Sequence, residues 1–234
     1  MRVAAIVPAA GRGERLGPGT PKALRLLGGV PLLVHAVRAL SSARLVDLVV
    51  VAGPPEGEAE VRALLDAHDV AAEVRVVAGG ETRQESVRRA LDVLPADVAG
   101  VLVHDAARPL APSDLADDVA QALIAGVTAV IPVMPVTDTI KRVDVSGHVL
   151  QTLPRAELVA VQTPQGFARS VLAEAHDAAA LDGFEGTDDA SLVERLGVPV
   201  QTVAGYDDAF KVTRPGDLAH AETVLRRRLE RRDR

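Results

Sequence analysis

The stretch Val3-Ala-Ala-Ile-Val-Pro-Ala-Ala-Gly-Arg-Gly-Glu-Arg-Leu16 carries the strongest information about the fold. Its first half, Val3–Val7, is a short apolar run rich in β-branched residues, which is typical of a strand buried on both faces. Gly11 and Gly13 follow closely, and they allow the backbone to turn so that several N–H groups can face one anion. Open α/β sheets bind ligands at the carboxyl ends of their strands, so we expect a phosphate-binding loop here.

This loop matches neither of two common phosphate-binding patterns. The dinucleotide-binding pattern G-x-G-x-x-G needs a third glycine, but the chain has Leu16 at that position. A Walker A loop needs Gly-Lys-Ser/Thr, whereas Lys22 is flanked by proline and alanine. The sequence therefore predicts a phosphate loop of another kind, in which Arg12, Arg15 and Lys22 supply mobile positive charge.

Apolar runs alternate with amphipathic helical patterns along most of the chain. Strands are predicted at Val3–Val7, Leu48–Ala52, Val74–Ala78, Val101–Val103, Ala129–Val133 and Val198–Val203. Helices are predicted at Leu32–Leu40, Glu58–Ala67, Gln84–Leu94, Leu115–Ala125, Ala168–Ala180, Asp189–Leu196 and from about Gly216 onward. Thr82 followed by Glu85 predicts a capping box at the third helix. The alternation predicts an α/β fold, with one Rossmann-like, mostly parallel twisted sheet and helices on both faces, in a single domain over residues 1–234.

The helical pattern is interrupted between residues 135 and 161. Two short strands, Thr139–Val143 and Val149–Leu153, are predicted on either side of a turn at Ser146–Gly147. Such a hairpin has little apolar material to stabilise it alone. We therefore expect residues 135–161 to form a protruding β-arm that packs against a second subunit. The alternative is a surface excursion that lies on its own domain.

The composition of the 234-residue chain excludes several classes of function. Hydrophobic residues make up 48% and charged residues 25%, which is typical of a globular protein with a substantial core. Only 2% of the residues are aromatic and the net charge is −6, which together argue against a nucleic-acid partner. Cysteine is absent, so disulfides, thiolate metal sites and thiol nucleophiles are excluded. Neither a membrane span nor a charged leader is recognisable, and we expect a cytoplasmic protein without a membrane partner.

Seven motifs together resemble those of one enzyme family. The first is the loop P-A-A-G-x-G-x-R-L with the later Pro-Lys pair. The others are Ala78-Gly-Gly-Glu-Thr-Arg-Gln-Glu-Ser-Val87, Val103-His-Asp-Ala-Ala-Arg-Pro109, Asp138-Thr-Ile-Lys141, Gln162-Thr-Pro-Gln-Gly166, Thr187-Asp-Asp-Ala190 and Phe210-Lys-Val-Thr213. The chain resembles the nucleotidyltransferases with a GT-A-like fold, and more closely the 2-C-methyl-D-erythritol 4-phosphate cytidylyltransferase family of the non-mevalonate isoprenoid pathway.

The resemblance implies transfer of CMP from CTP to 2-C-methyl-D-erythritol 4-phosphate, which gives 4-diphosphocytidyl-2-C-methyl-D-erythritol and pyrophosphate. A phosphate monoester has a second pKa of roughly 6, so the attacking group is already an anion at neutral pH and needs no general base. Catalysis is then expected to depend on cations and oriented N–H groups that hold both anions in line. Mg²⁺ or another divalent cation is the expected cofactor, bridging phosphate oxygens.

The resemblance also implies roles for individual residues. The expected catalytic residues are Arg15 and Lys22, which would contact the triphosphate, and Arg155 and Lys211, which would position the attacking phosphate. Nucleotide contacts are expected from Pro8, Ala9, Ala10, Gly11, Gly13, Ala78, Gly79, Gly80, Arg83, Ser86, Asp105 and Ala106. Contacts with the polyol phosphate are expected from Asp105, Arg108, Thr139, Arg155, Thr163 and Lys211. Thr139 and Arg155 flank the predicted hairpin, which would reach into a neighbouring subunit of a homodimer.

Several assignments stay open at this stage. Asp105 is expected to contact a substrate hydroxyl or a metal ion, with loop capping as the alternative. His104 is expected to pack rather than to catalyse, and Ser86 could be an ordinary helix-surface serine. Asp188 and Asp189 look like a metal pair, but stabilisation of a helix start is the favoured interpretation. Two alternative functions remain, a cytidylyltransferase for another polyol phosphate such as ribitol 5-phosphate and a non-catalytic nucleotide-binding module.

Overall fold

A central sheet with helices on both faces forms the fold, as a computed structural model of residues 1–11, 21–68, 70 and 73–232 shows. The strands are β1 (Arg2–Pro8), β2 (Leu26–Leu27), β3 (Val30–Pro31), β4 (Leu48–Gly53), β5 (Glu73–Ala78), β6 (Val98–Val103), β7 (Ala129–Pro135), β8 (Lys141–Val143), β9 (Val149–Thr152), β10 (Val159–Val161), β11 (Gln165–Ala168) and β12 (Gln201–Ala204). The α-helices are α1 (Leu32–Ser41), α2 (Glu58–Asp66), α3 (Arg83–Asp92), α4 (Ser113–Ile124), α5 (Arg169–Leu181), α6 (Asp189–Arg195) and α7 (Pro215–Arg232). Short 3₁₀ helices span Lys22–Leu24, Arg155–Glu157 and Asp207–Ala209.

Strand β1 lies in the middle of the sheet, between β4 and β6, and is parallel to both. Strand β5 extends the sheet beyond β4 in the same direction. On the other side, β11 lies antiparallel between β6 and β7, while β10 and β12 pair with β7 in antiparallel and parallel directions. All strands of this sheet except β10 and β11 therefore point the same way. The predicted mostly parallel α/β sheet is confirmed.

The continuous apolar run of β1 is explained by its burial on both faces. Val3, Ala5 and Val7 belong to the core formed with α1, α2 and α4. Ala4 and Ile6 belong to the core formed with α3, α5 and α6. Successive side chains of a strand point to opposite faces, so a strand covered on both sides needs an apolar residue at every position.

The sequence patterns locate the long elements and miss four short strands. No strand is predicted at β2, β3, β10 or β11, whose two to four residues show no recognisable period. The capping prediction is confirmed in part. The Thr82 side chain accepts the Glu85 N–H at 3.1 Å, but the Glu85 carboxylate accepts the N–H of Glu81 instead of that of Thr82. None of the helices in the described ranges combines the length and apolar character needed to cross a bilayer.

The β-arm protrudes from the domain. Pro135 pairs with Val159 in the central sheet, so the protruding segment spans 136–158, within the predicted range of 135–161. Strands β8 and β9 form a separate two-stranded sheet, and all of their residues are exposed. A hairpin that lies on its own domain would bury one face, whereas these strands bury neither. Val143, Val149 and Leu150 each expose more than half of their surface.

Candidate active site

A cleft of about 250 Å³ opens at the carboxyl ends of β1 and β6, beside the first turn of α3. Its described lining consists of Pro8, Ala9, Ala10, Gly11, Lys22, Ala23, Arg83, Ser86, Asp105, Ala106, Ala107 and Lys211. All of these except Ala23 and Ala107 are residues that the sequence predicts for the site. They meet because parallel neighbouring strands end at the same edge of the sheet.

A larger cavity of about 830 Å³ lies between α1, α7 and residues 109–113. Its described lining contains none of the predicted site residues. Volume alone does not identify an active site, and convergent polar groups at strand ends are the better criterion. We therefore take the smaller cleft as the candidate active site.

The loops that follow β1 and β5 are packed against each other beneath the cleft. The Ala9 N–H donates to the Ala52 carbonyl at 2.8 Å, and the Gly79 N–H donates to the Gly53 carbonyl at 2.7 Å. A Cβ atom on Gly79 would lie 2.7 Å from the Cβ of Ala10 and from the Gly53 oxygen, so only glycine fits there. Gly79 therefore allows the two loops to come this close.

Ser86 fixes the turn that Gly79 and Gly80 make. Its hydroxyl accepts the Gly80 N–H at 3.0 Å and donates to the Thr82 carbonyl at 2.8 Å. The residue is 1% exposed although it lines the cleft. It is therefore no ordinary surface serine. The nucleotide contacts expected from Ala78, Gly79 and Gly80 stay predictions, because these residues lie beside the described lining rather than in it.

Asp105 is the centre of the charged groups in the cleft. Its Oδ1 accepts a hydrogen bond from Nε of Arg83 at 3.2 Å, and its Oδ2 lies 2.7 Å from Nζ of Lys211. Burial alone would raise the pKa of Asp105, but the positive charges of Arg83 and Lys211 outweigh it and hold the pKa well below its usual range. Asp105 is therefore an anion at neutral pH, which can accept hydrogen bonds or bind a cation.

The two neighbouring aspartates at the start of α6 have different partners. Asp188 is the N-cap, and its side chain accepts the Ser191 N–H at 3.0 Å in a capping box. This agrees with the interpretation as a helix start. Asp189 is 1% exposed and lies 2.7 Å from Nη2 of Arg83 and 3.0 Å from Nε2 of His176. No group of three or more potential metal ligands occurs within the described ranges.

Sequence reasoning considers Asp189 only as half of a metal pair or as part of a helix start, and it gives His176 no role. His176 lies on the buried side of α5, and its partner Asp189 begins α6, so no local pattern connects the two residues with Arg83. The available signals are the motif Thr187-Asp-Asp-Ala190 and the position of Asp189 directly after the residue that serves as the cap. A second acidic residue at a helix start is common, so that signal is weak.

A buried hydrogen-bonded chain supports the backbone of Asp105. The Asp105 N–H donates to Oγ1 of Thr163 at 3.0 Å, and this oxygen lies 3.1 Å from Nδ1 of His104. Nε2 of His104 lies 3.3 Å from the Arg108 carbonyl. A carbonyl can only accept, so Nε2 carries the proton and Nδ1 accepts the hydroxyl hydrogen of Thr163. The Thr163 hydroxyl is thus already engaged, and its contact with the acceptor stays a prediction.

Arg108 is held in the interior rather than in the described lining of the cleft. The residue is 8% exposed, and its Nη1 and Nη2 donate to the carbonyls of Ala209 and Val161 at 2.7 and 3.0 Å. Burial lowers its pKa. In this position Arg108 ties β10 and the 3₁₀ helix Asp207–Ala209 to the loop after β6. A contact with the substrate phosphate stays a prediction.

The remaining predicted residues lie elsewhere. Gly13 and Arg15, together with Arg12, lie outside the described residues. Thr139 and Arg155 are exposed in the arm, where Nη1 of Arg155 donates to the Thr137 carbonyl at 2.8 Å. Neither belongs to the described lining of the cleft in its own chain.

Comparisons with known proteins agree on one family. The family model for 2-C-methyl-D-erythritol 4-phosphate cytidylyltransferase matches residues 3–227. Curated relatives of this name from Frankia casuarinae and Streptomyces coelicolor are 58% and 55% identical, over 97% of this chain and 82% and 86% of their own. A solved structure of this name from Thermus thermophilus is 38% identical with a TM-score of 0.78, over 97% of this chain and all of its own. The 4-diphosphocytidyl-2C-methyl-D-erythritol synthase from Anaerococcus prevotii is 27% identical with a TM-score of 0.84, over 96% of both chains.

The buried His104 predicts a loss of stability in mild acid. Desolvation lowers its pKa from 6.5 to about 4, so the unfolded chain takes up a proton that the folded chain refuses. The contribution of neutral His104 to the free energy of unfolding is complete above pH 6.5 and is lost as the pH falls towards 4. Between pH 7 and 5 we expect a loss of roughly 2 kcal/mol in the free energy of unfolding, measured by urea denaturation.

The variant His104→Gln is the control for this effect. It should show a smaller loss over the same pH interval. Burial also lowers the pKa of His35, so this residue should supply part of the pH dependence of stability that remains in the variant. Equal losses in the wild type and in His104→Gln would contradict the assignment.

Proposed function

The chain belongs to the 2-C-methyl-D-erythritol 4-phosphate cytidylyltransferase family, and we propose which residues of its cleft bind the triphosphate and which bind the acceptor. The protein is a nucleotidyltransferase that transfers CMP from CTP to 2-C-methyl-D-erythritol 4-phosphate in isoprenoid precursor biosynthesis. The ribitol 5-phosphate and non-catalytic alternatives have no support among these relatives. One observation carries the assignment of the site, namely the convergence of Lys22, Arg83, Asp105 and Lys211 at the strand ends.

The reaction joins two anions, and the cleft supplies cations for both. An oxygen of the acceptor phosphate attacks the α-phosphorus of CTP, a new P–O–P link forms, and the bond to the β-phosphate breaks to release pyrophosphate. Lys22 lies at the glycine loop and would bind the triphosphate with its compact ammonium group, together with Arg15. Fixed cations of this kind stabilise the charge of the transition state without a general base.

Lys211 and Asp105 would hold the acceptor side. The Lys211 side chain is 40% exposed and is paired with Asp105 in this structure. An acceptor phosphate would take Lys211 as its partner and leave an Asp105 oxygen available to a hydroxyl group. His104 takes no part in proton transfer in this scheme, because it is buried and neutral above about pH 4.

We propose Mg²⁺ as the cofactor, in agreement with the donors of the cleft. Asp105 is the single carboxylate among the described lining residues. One carboxylate together with substrate phosphates and water is the usual environment of Mg²⁺, which rarely occupies an all-protein cage. Asp105 would therefore be its protein ligand, and the ion would neutralise phosphate charge.

We further propose a homodimer formed through the β-arm. The exposed apolar side chains of β8 and β9 support it, because three of them expose more than half of their surface. The position of Thr139 and Arg155 outside their own cleft also supports it, since an acceptor contact by these residues then requires a neighbouring chain. A cytoplasmic location stays a prediction.

A pyrophosphate-release assay tests the function. The purified protein should release pyrophosphate with CTP and 2-C-methyl-D-erythritol 4-phosphate when Mg²⁺ is present. UTP, ATP or ribitol 5-phosphate in place of the natural partner should give at most about a hundredth of the rate, since a mismatched hydrogen-bonding edge is poorly tolerated. Equal rates with ribitol 5-phosphate would contradict the acceptor assignment.

Lys22→Ala tests the role of the triphosphate cation. We expect kcat to fall by about a hundredfold or more, which is the usual effect of removing one transition-state donor. Arg75→Ala removes a partly exposed cation that pairs with Glu73 on β5 and should keep its activity. Circular dichroism checks that both variants fold, and near-normal turnover of a folded Lys22→Ala would exclude the role.

Mixing two defective variants tests the shared site. Arg155→Ala should raise KM for the acceptor and leave KM for CTP unchanged. In a two-fold dimer that exchanges arms, a mixed dimer of Arg155→Ala and Lys22→Ala has one intact site. Statistical mixing should therefore recover about a quarter of the wild-type activity. No recovery after subunit exchange, or a monomer in light scattering, would contradict the arm assignment.

A further inference from the structure

A buried ion pair connects the cleft with the interior behind α3. Arg83, the first residue of α3, places its guanidinium between two carboxylates, with Nε 3.2 Å from Asp105 and Nη2 2.7 Å from Asp189. Asp105 lines the cleft, whereas Asp189 is absent from the described lining and is 1% exposed. We propose that Asp189 is a positioning residue for the transferase reaction, which holds the Arg83 guanidinium in place from behind. The inference rests on the proposed nucleotide contact of Arg83.

The geometry of the Arg83 guanidinium explains why Asp189, as a second contact beside Asp105, affects the placement of this group. The group is planar, so a hydrogen bond at Nε together with an ion pair at Nη2 restricts where it can lie. Among the contacts of the described residues, Nη1 of Arg83 has no partner, and the side chain is 32% exposed at the cleft. Nη1 is therefore left to donate to a ligand. A donor held in advance at a fixed place loses less entropy when the ligand binds.

The two anchors differ in whether a ligand can reach them. Asp105 lines the cleft and shares its second oxygen with Lys211, so a hydroxyl group or a cation can draw it away from Arg83. Asp189 is sealed from the cleft. Burial would raise its pKa, but the charge of Arg83 and the hydrogen bond from His176 lower it, so the carboxylate stays charged. Asp189 is the anchor that remains when Asp105 turns to a ligand.

His176 holds the Asp189 carboxylate in turn. Its Nε2 lies 3.0 Å from Oδ1, and a carboxylate only accepts, so Nε2 carries the proton and donates. Oδ2 is left to Arg83, and this contact is an ion pair rather than a well-aligned hydrogen bond. Such a buried pair adds little to stability, because desolvation offsets the attraction between the charges. Its position directly behind a cleft residue is explained better by orientation than by stability.

Asp189→Asn tests the inference, with Asp188→Asn as its matched control. Both remove one negative charge from the start of α6, and asparagine caps a helix as well as aspartate does. We expect kcat/KM for CTP to fall by about tenfold or more in Asp189→Asn, which corresponds to ~1.4 kcal/mol, and KM for the acceptor to change less than about twofold. Asp188→Asn should keep both parameters within about twofold of the wild type.

A double-variant cycle separates positioning from a general loss of structure. Arg83→Gln alone should lower kcat/KM for CTP, and Asp189→Asn added to it should lower the value less than about twofold further. This double variant also leaves no unpaired buried charge, so it can fold even where Asp189→Asn cannot. Full additivity, or an Asp189→Asn enzyme as active as Asp188→Asn, would overturn the inference alone. A wild-type protein without pyrophosphate release would overturn the proposed function as well.

Discussion

The parallel pairing of β1 with β4 and β6 is the constraint on which the rest of the molecule depends. It requires a strand that is apolar on both faces, and Val3–Val7 meets that requirement with complete burial. The hydrogen bonding continues one residue beyond β1, where the Ala9 N–H donates to the Ala52 carbonyl, and Gly11 follows two residues later. The polar residues of the site therefore cannot lie along the strands and are collected at one edge, where three parallel strands end together.

This edge of the sheet is rich in positive charge, whereas the whole chain is negatively charged. The protein has a net charge of −6, yet Lys22, Arg83 and Lys211 line one cleft, and the last two contact its single described carboxylate, Asp105. Both reactants are anions, so the reaction needs fixed positive charge and oriented hydrogen-bond donors rather than a general base. His104, next to Asp105, fits this picture because it serves as a neutral support in a hydrogen-bonded chain.

Two contributions complete the site from outside the strand ends. From behind, Asp189 contacts Arg83 and is itself contacted by His176, and the side chains of Asp189 and His176 are both 1% exposed. From the other side, the proposed contribution of the β-arm brings Arg155 to a neighbouring chain. The two differ in rigidity, since the first is embedded between α3, α5 and α6 and the second stands free of its own domain. A rigid nucleotide side and an acceptor side completed by assembly would then share one cleft.

The sequence by itself determined the features that depend on near neighbours in the chain. The apolar run before Gly11 and the Thr82 cap are read directly, because strand burial and helix capping involve residues a few positions apart. Only the tertiary structure decided which polar groups meet. The single hydroxyl of Thr163 is bonded to His104 and to the Asp105 backbone. The Arg108 guanidinium donates to two carbonyls in the interior. The Asp189 side chain contacts Arg83 although its residue begins a helix. The partners of these side chains are distant in sequence. Each side chain can form only a few hydrogen bonds, so the groups that tertiary packing places beside it determine its role.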